Sequence, residues 1–274
     1  MPFTLSHAAA ALPFRRFKPI WPALVMGTFA PDVPYFIWIS DEDRSGHHFP
    51  MVLLGTIPLA LVLVWLFERI VKGPVVELLP LGVQRRLQNK LEPLAFRGWR
   101  QLLTILLWIA VGVFTHLIWD YFTHPQIHLI GLLGFLNKKV PVPWLHPMPL
   151  TGILQNVSTV LGLVALCVWG GFWYARTTPV PPAQVRQQSP LKKCSLVATM
   201  IFVALLVGYS YAAFTLAARG GPLSNSYRAA TVFEAVTTLL AVELLLYGLL
   251  QNLLARRSRM NPADKIDSAA LIQR

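Results

Sequence analysis

The sequence is poor in charge, and poorer still in acid. Only 13% of its 274 residues are charged, and 12 Asp and Glu stand against 24 Lys and Arg. Soluble domains carry about twice that charged fraction, so a water-soluble globule is excluded. Cysteine is nearly missing. Cys167 and Cys194 stand far apart and make no CxxC or zinc-ribbon spacing, so both read as free thiols and a thiolate metal site is excluded. No HExxH, GxSxG or P-loop GxxxxGKS/T occurs, which argues against a zincin-type protease, an α/β-hydrolase and a P-loop ATPase. The start of the chain lacks the basic region, apolar core and cleavage site of a signal peptide, so mature and encoded chains are expected to be the same. Histidine is missing from Leu150 onward.

What is abundant is apolar sequence: 55% of residues are hydrophobic and the mean hydropathy is +0.53. A membrane span needs about 20 apolar residues. Met51–Val71, Leu102–Phe122, Leu154–Ala175, Ser195–Ala217 and Thr231–Leu254 meet that length. Backbone groups in lipid must be satisfied within the segment, so each reads as a helix. Ile20–Ile39 is apolar but holds Pro22, Pro31, Asp32 and Pro34. It reads as a broken or re-entrant helix, with a sixth span as the alternative. Thr4–Leu12 reads as a short amphipathic helix ending at Pro13. The expected fold is all-α: a polytopic bundle of about five transmembrane helices plus a short or re-entrant N-terminal helical segment. Three parts follow: residues 1–153 with two spans and most histidines, residues 154–254 with three spans, and a tail over 255–274.

Basic residues orient such a bundle. Seven lie in 69–100, four in 176–193 and five after Leu254, sixteen in all. The alternate loops hold eight. The richer set, with the C-terminus, is expected in the cytoplasm. The second span then runs outward and brings His116 and Asp120 to its outer end. The net charge of +12 is explained by this asymmetry and by anionic lipid head groups, not by nucleic acid.

The remaining signal lies in short motifs. His7 sits in MPFTLSH, Asp32 in APDVPYF, His47 and His48 in SGHHF, and His116, Asp120 and His124 in HLIWDYFTH. Residues four apart on a helix share a face, so His116 and Asp120 can meet one ion without distorting the backbone. Pro125 follows His124 and suggests that the helix ends there. Imidazole and carboxylate suit a divalent metal, zinc first, with manganese and iron also matched. Simpler readings stand beside this one. His116 could hydrogen-bond Asp120, Asp32 could cap a helix, and His47 and His48 could be solvated. Gly112, on the His116–Asp120 face, would let a neighbouring helix approach. Glu243, in the last span, reads either as functional or as a protonated acid bonded to Tyr209, Ser210 or Tyr211.

The series MPFTLSHAAAALPFRR, MGTFAPDVPYF, a His-containing loop, GVFTHLIWDYFTH and LQNVSTVLGL resembles a bacterial membrane family, "domain of unknown function 4184". The likeness covers roughly the first 165 residues. It implies a bacterial inner-membrane protein. More distantly, the His…PD…H…HxxxD order resembles the inner-membrane metal-dependent hydrolases and the zinc-dependent phospholipase C group. That resemblance implies His7, Asp32, His47 or His48, His116 and Asp120 as ligands.

The leading expectation is a membrane-embedded zinc-type hydrolase of a phosphoester or other ester, with a lipid or lipid-linked substrate. The alternatives are a non-enzymatic transporter or binding protein for a metal or protons, and a structural membrane protein.

Overall fold

The fold is seen in a computed structural model that describes residues 4–17, 20–39, 49–94, 96, 98–123, 134–141, 147–185, 188–219 and 224–260. The chain opens with a 3-10 helix, Thr4–Phe14. A helical run follows, made of α1 (Trp21–Phe29), a 3-10 turn (Ala30–Asp32) and α2 (Val33–Trp38). Next come α3 (Val52–Leu78), α4 (Leu81–Leu87) and α5 (Gly98–Thr123). A short antiparallel ribbon pairs β1 (Lys139–Val140) with β2 (Met148–Pro149). The chain continues through α6 (Leu150–Arg176), α7 (Pro190–Arg219) and α8 (Asn225–Met260). Apart from the ribbon, the described residues form no sheet, so the protein is nearly all-α.

Five helices are long and apolar enough to cross a membrane: α3, α5, α6, α7 and the stretch Tyr227–Arg257 of α8. These are the five expected segments; the first starts at Val52 in place of Met51 and runs on to Leu78, and the other four are extended at both ends. They turn large apolar side chains outward, as at Leu54 (79% exposed) and Phe214 (72%). Such surface is stable against lipid and not against water, and the chain is an integral membrane protein. The Ile20–Ile39 stretch is helical with a break at Ala30–Asp32, as its prolines suggest. Ile39 ends it at φ 49°, a left-handed conformation rare for a β-branched residue. The N-terminal segment departs from expectation. It is a 3-10 helix and runs through Pro13 to Phe14. Pro13 lies in the last turn, where its missing N–H costs one bond and no following turn depends on it.

The chain forms two compact units, Met1–Val64 with Leu94–Thr178, and Trp65–Pro93 with Pro179–Arg274. In the first, Ile105, Ile109 and Val113 recur every four residues on α5 and are fully buried. They pack with Ala23, Ala30 and Val64. The closest approach of α1 and α5 is at two glycines. A methyl group on Gly27 would strike the Ile109 carbonyl, and one on Gly112 would strike the Leu24 carbonyl. Here Gly112 acts as its position on the helix face predicts. The 3-10 helix packs on α6 at Gly162, where an added Cβ would lie 2.9 Å from Ser6. Trp21 Nε1 donates to the Ala11 carbonyl at 3.0 Å, tying the 3-10 helix to α1.

The second unit shows how proline is carried within a span. Pro74 cannot donate to the carbonyl of Ile70, which lies in a π-helical stretch, Phe67–Val71. Asn252 Nδ2 of α8 donates to that carbonyl at 3.3 Å. Gly248, one turn earlier on α8, allows the approach. Farther along, Gly208 of α7 packs against Val236 of α8.

Candidate metal centre

Three separate chain segments converge in the first unit. The 3-10 helix supplies Thr4 and His7, which share a face because i and i+3 eclipse in this geometry. The turn at Ala30–Asp32 supplies Asp32. The last two turns of α5 supply His116 and Asp120. All four ionisable side chains are buried: His7 is 6% exposed, Asp32 1%, His116 1% and Asp120 3%.

Their donor atoms face one another. His116 Nε2 lies 3.2 Å from Asp120 Oδ2 and 3.4 Å from Asp32 Oδ1. His7 Nε2 lies 3.5 Å from Asp120 Oδ1. The two imidazoles stack at 4.0 Å, 22° from parallel. One ligand atom from each of His7, His116 and Asp120 falls within 4.8 Å of the others. Thr4 Oγ1 donates to Asp32 Oδ2 at 2.8 Å. His116 Nδ1 lies 2.8 Å from the Thr28 carbonyl. A carbonyl can only accept, so Nδ1 carries the hydrogen and Nε2 is directed at the two carboxylates.

This donor set fits a divalent ion on two grounds. Atoms bound about 2.0–2.1 Å from a tetrahedral zinc lie about 3.3–3.4 Å from each other. The separations here are 3.2–3.5 Å, longer than the about 2.7–2.9 Å of a charge-assisted N–H···O bond. The second ground is charge. Two carboxylates with two neutral imidazoles are balanced by one dication. Balancing them by protonating both imidazoles would place two imidazolium rings face to face at stacking distance.

Asp32 opens α2 without a side-chain capping bond; its carboxylate goes to Thr4 and His116. The capping alternative is thereby replaced. His47, His48 and His124 lie outside the described residues. Sequence reasoning missed Thr4, Thr28 and Gly27. The i, i+3 relation of Thr4 to His7 and the i, i+4 relation of Thr28 to Asp32 were the available signals. Of the two readings of Glu243, the bonded one is not met: no bond forms to Tyr209, Ser210 or Tyr211 among the described residues, and Ser210 donates instead to the Leu206 carbonyl. The Gly208–Val236 contact sets Tyr209–Tyr211 level with residues near Glu234, about 12–15 Å along the helix from Glu243.

The chain belongs to the family described as Domain of unknown function (DUF4184). The family model matches residues 1–253, well beyond the 165 residues over which the motifs were legible, and so takes in the second unit as well as the first. No curated protein and no solved structure matches the chain. The family description assigns no activity, which leaves the geometry of the cluster as the ground for a functional reading.

Proposed function

We propose that the protein is a membrane-embedded, metal-dependent hydrolase acting on a phosphoester or other ester, with a lipid-linked substrate. The observation that carries this reading is the convergence of His7, Asp32, His116 and Asp120 at ligand spacing. His7, His116 and Asp120 would hold the ion, zinc first, as the three protein ligands common to catalytic zinc sites. A bound ion supplies a Lewis acid for a phosphoryl or carbonyl oxygen and lowers the pKa of water. The chain's own groups do the rest. Thr28 fixes the His116 ring through Nδ1. Thr4 occupies Asp32 Oδ2, which orients Oδ1 toward the cluster as the proton acceptor. The distant resemblance of the His…PD…H…HxxxD order to metal-dependent hydrolases supports the same assignment.

Depth supports the lipid-linked substrate. His116 and Asp120 lie about 27 and 33 Å along α5 from Gly98, against a hydrocarbon core of about 30 Å. Trp99 and Arg100 mark one end of that helix. Trp119, 41% exposed, marks the level of the cluster near the other, where head groups lie. The division of basic residues supports a cytoplasmic C-terminus and an α5 that runs outward toward His116 and Asp120, and the family resemblance supports a bacterial inner membrane.

The test is metal content by mass spectrometry on detergent-purified protein, followed by assay on a panel of phosphoesters. Stoichiometric metal with hydrolysis is expected. A wild type that holds no metal, and that zinc, manganese or iron cannot reconstitute, overturns the reading. For orientation, labelling of a cysteine placed at Gln88 from outside intact cells would reverse the assignment.

A further inference from the structure

Thr151 is an anomaly in the first unit. It is 2% exposed, and its Oγ1 is buried without a hydrogen-bond partner among the described residues. A buried hydroxyl left unpaired is costly, and nothing in helix packing requires a threonine there. Thr151 stands in the first turn of α6, a 27-residue helix. That end is capped by Pro149, which offers no side-chain acceptor or donor. The Leu150 amide is taken by the Lys138 carbonyl at 3.2 Å. The following amides are the ones that an α-helix leaves without internal acceptors. A helical Cα–Cβ bond tilts toward the N-terminus, so the Thr151 hydroxyl leans toward those amides.

The ribbon adds charge at this place. Lys139 pairs with Pro149, and Lys138 precedes it. Both lysines are exposed, and neither makes an ion pair among the described residues. Two ammonium groups, a helix N-terminus and an unpaired buried hydroxyl share one chemistry, which is that of an anion acceptor. Trp119 donates to Ser158 Oγ at 3.2 Å. Ser158 lies two turns, about 10 Å, beyond Thr151 on α6. The place is therefore separate from the cluster that contains Asp120.

We propose that the first turn of α6, with Thr151, Lys138 and Lys139, is a phosphate-binding subsite. It takes a phosphate dianion, carried by a lipid head group or free, and it stands whether or not the cluster holds metal.

The experiment is calorimetric titration of the full chain in detergent with inorganic phosphate, at fixed ionic strength. Wild type is expected to bind. Thr151→Val should weaken binding about tenfold, the loss of one hydrogen bond to a charged group. Lys138→Gln with Lys139→Gln should weaken it at least as much and flatten its salt dependence. Because the hydroxyl has no partner to lose, Thr151→Val should leave the melting temperature without phosphate unchanged or higher. A lower value would give Thr151 a structural role and overturn the proposal, as would equal phosphate affinity in all variants. Chelator-treated protein and Asp120→Asn should keep the affinity. Its loss in either would assign phosphate to the cluster and sink the subsite, while metal content measured on the same samples reports separately on the hydrolase reading. Dihexanoyl phosphatidic acid supplies the last arm. Binding tighter than inorganic phosphate identifies a lipid head group, and equal binding identifies the phosphate group alone. Binding of neither overturns the proposal.

Discussion

The two compact units use their polar side chains in opposite ways. In the second unit, polar groups mainly answer the backbone, and the buried Glu68 is matched by Lys72 one turn on at 2.9 Å. Gln84, fully buried, donates through Nε2 to the Leu79 carbonyl at 2.9 Å, next to the end of α3. Arg85 donates to the Val180 carbonyl at 2.6 Å, Lys193 reaches the Leu79 carbonyl at 3.4 Å, and Asn252 serves Ile70. Each serves a carbonyl at a helix end, in a connector or at a proline gap. In the first unit, His7, Asp32, His116 and Asp120 answer one another. The Thr28 carbonyl, met by His116 Nδ1 at 2.8 Å, orients a ring and closes no gap. A polar group bonded to a carbonyl is construction. Four ionisable groups turned toward a common point, at a cost that the fold does not require, are the ground of the proposed metal site.

The sharpest way to break this contrast is to remove a donor from the cluster. His116→Ala and Asp120→Asn should each lose stoichiometric metal and hydrolysis to background, with the helical bundle intact by circular dichroism. Span packing in lipid does not depend on the ion. If both variants keep metal, the cluster is construction after all. Asp32→Asn should act differently. It keeps the metal and lowers the rate by about 10²–10⁴, the range for a general base. Loss of metal in Asp32→Asn would make Asp32 a ligand instead. Thr4→Val comes next: it keeps the metal and lowers the rate about 10–100-fold, as the support that orients Asp32 is removed. Steady-state rates on metal-loaded protein measure it.

The same contrast explains what was legible in the sequence. The five spans were, because twenty apolar residues in lipid have one backbone solution. The pairing of His116 with Asp120 was, because both lie on one helix four residues apart. The approach at Gly112 was legible from one side; its counterpart Gly27 gave no such signal, because α1 is too short for its face to be read. Thr4 and Thr28 escaped because they act through contacts 28 and 88 residues distant in sequence. Periodicity reports which face of a helix is buried and not what lies against it. The 3-10 form of Thr4–Phe14 escaped for the same reason: packing on Gly162 and the bond from Trp21 hold it, and local propensity does not. Glu243 was matched to the wrong residues because the register of α7 on α8 follows from Gly208 meeting Val236, a contact that hydropathy does not encode.

In the second unit the effects should be on stability alone. Gln84→Leu removes the bonds from Nε2 to the Glu77 and Leu79 carbonyls and leaves Leu79 only the longer reach of Lys193, a cost of about 1–3 kcal/mol. It should lower the melting temperature in detergent and leave metal stoichiometry at the wild-type value. A change in metal content would show that the units are not separable in this way.

Glu243→Gln should have the smallest effect of all, and for a reason that tests the contrast from its other side. Glu243 is an acid within a span, the feature that most often marks function in a membrane protein. Yet its Oε2 meets no partner among the described residues, and the side chain is incompletely buried. It answers neither the backbone nor another ionisable group. Replacing it with an amide of the same shape removes no bond and opens no cavity, so stability should change by about 0.5 kcal/mol or less, as at an unconstrained surface position. Metal content and hydrolysis should be unchanged. Should Glu243→Gln abolish a metal- or proton-driven uptake into proteoliposomes while His116→Ala leaves it intact, the working site would lie in the second unit, and isolation of an intramembrane acid would have been the better guide than convergence.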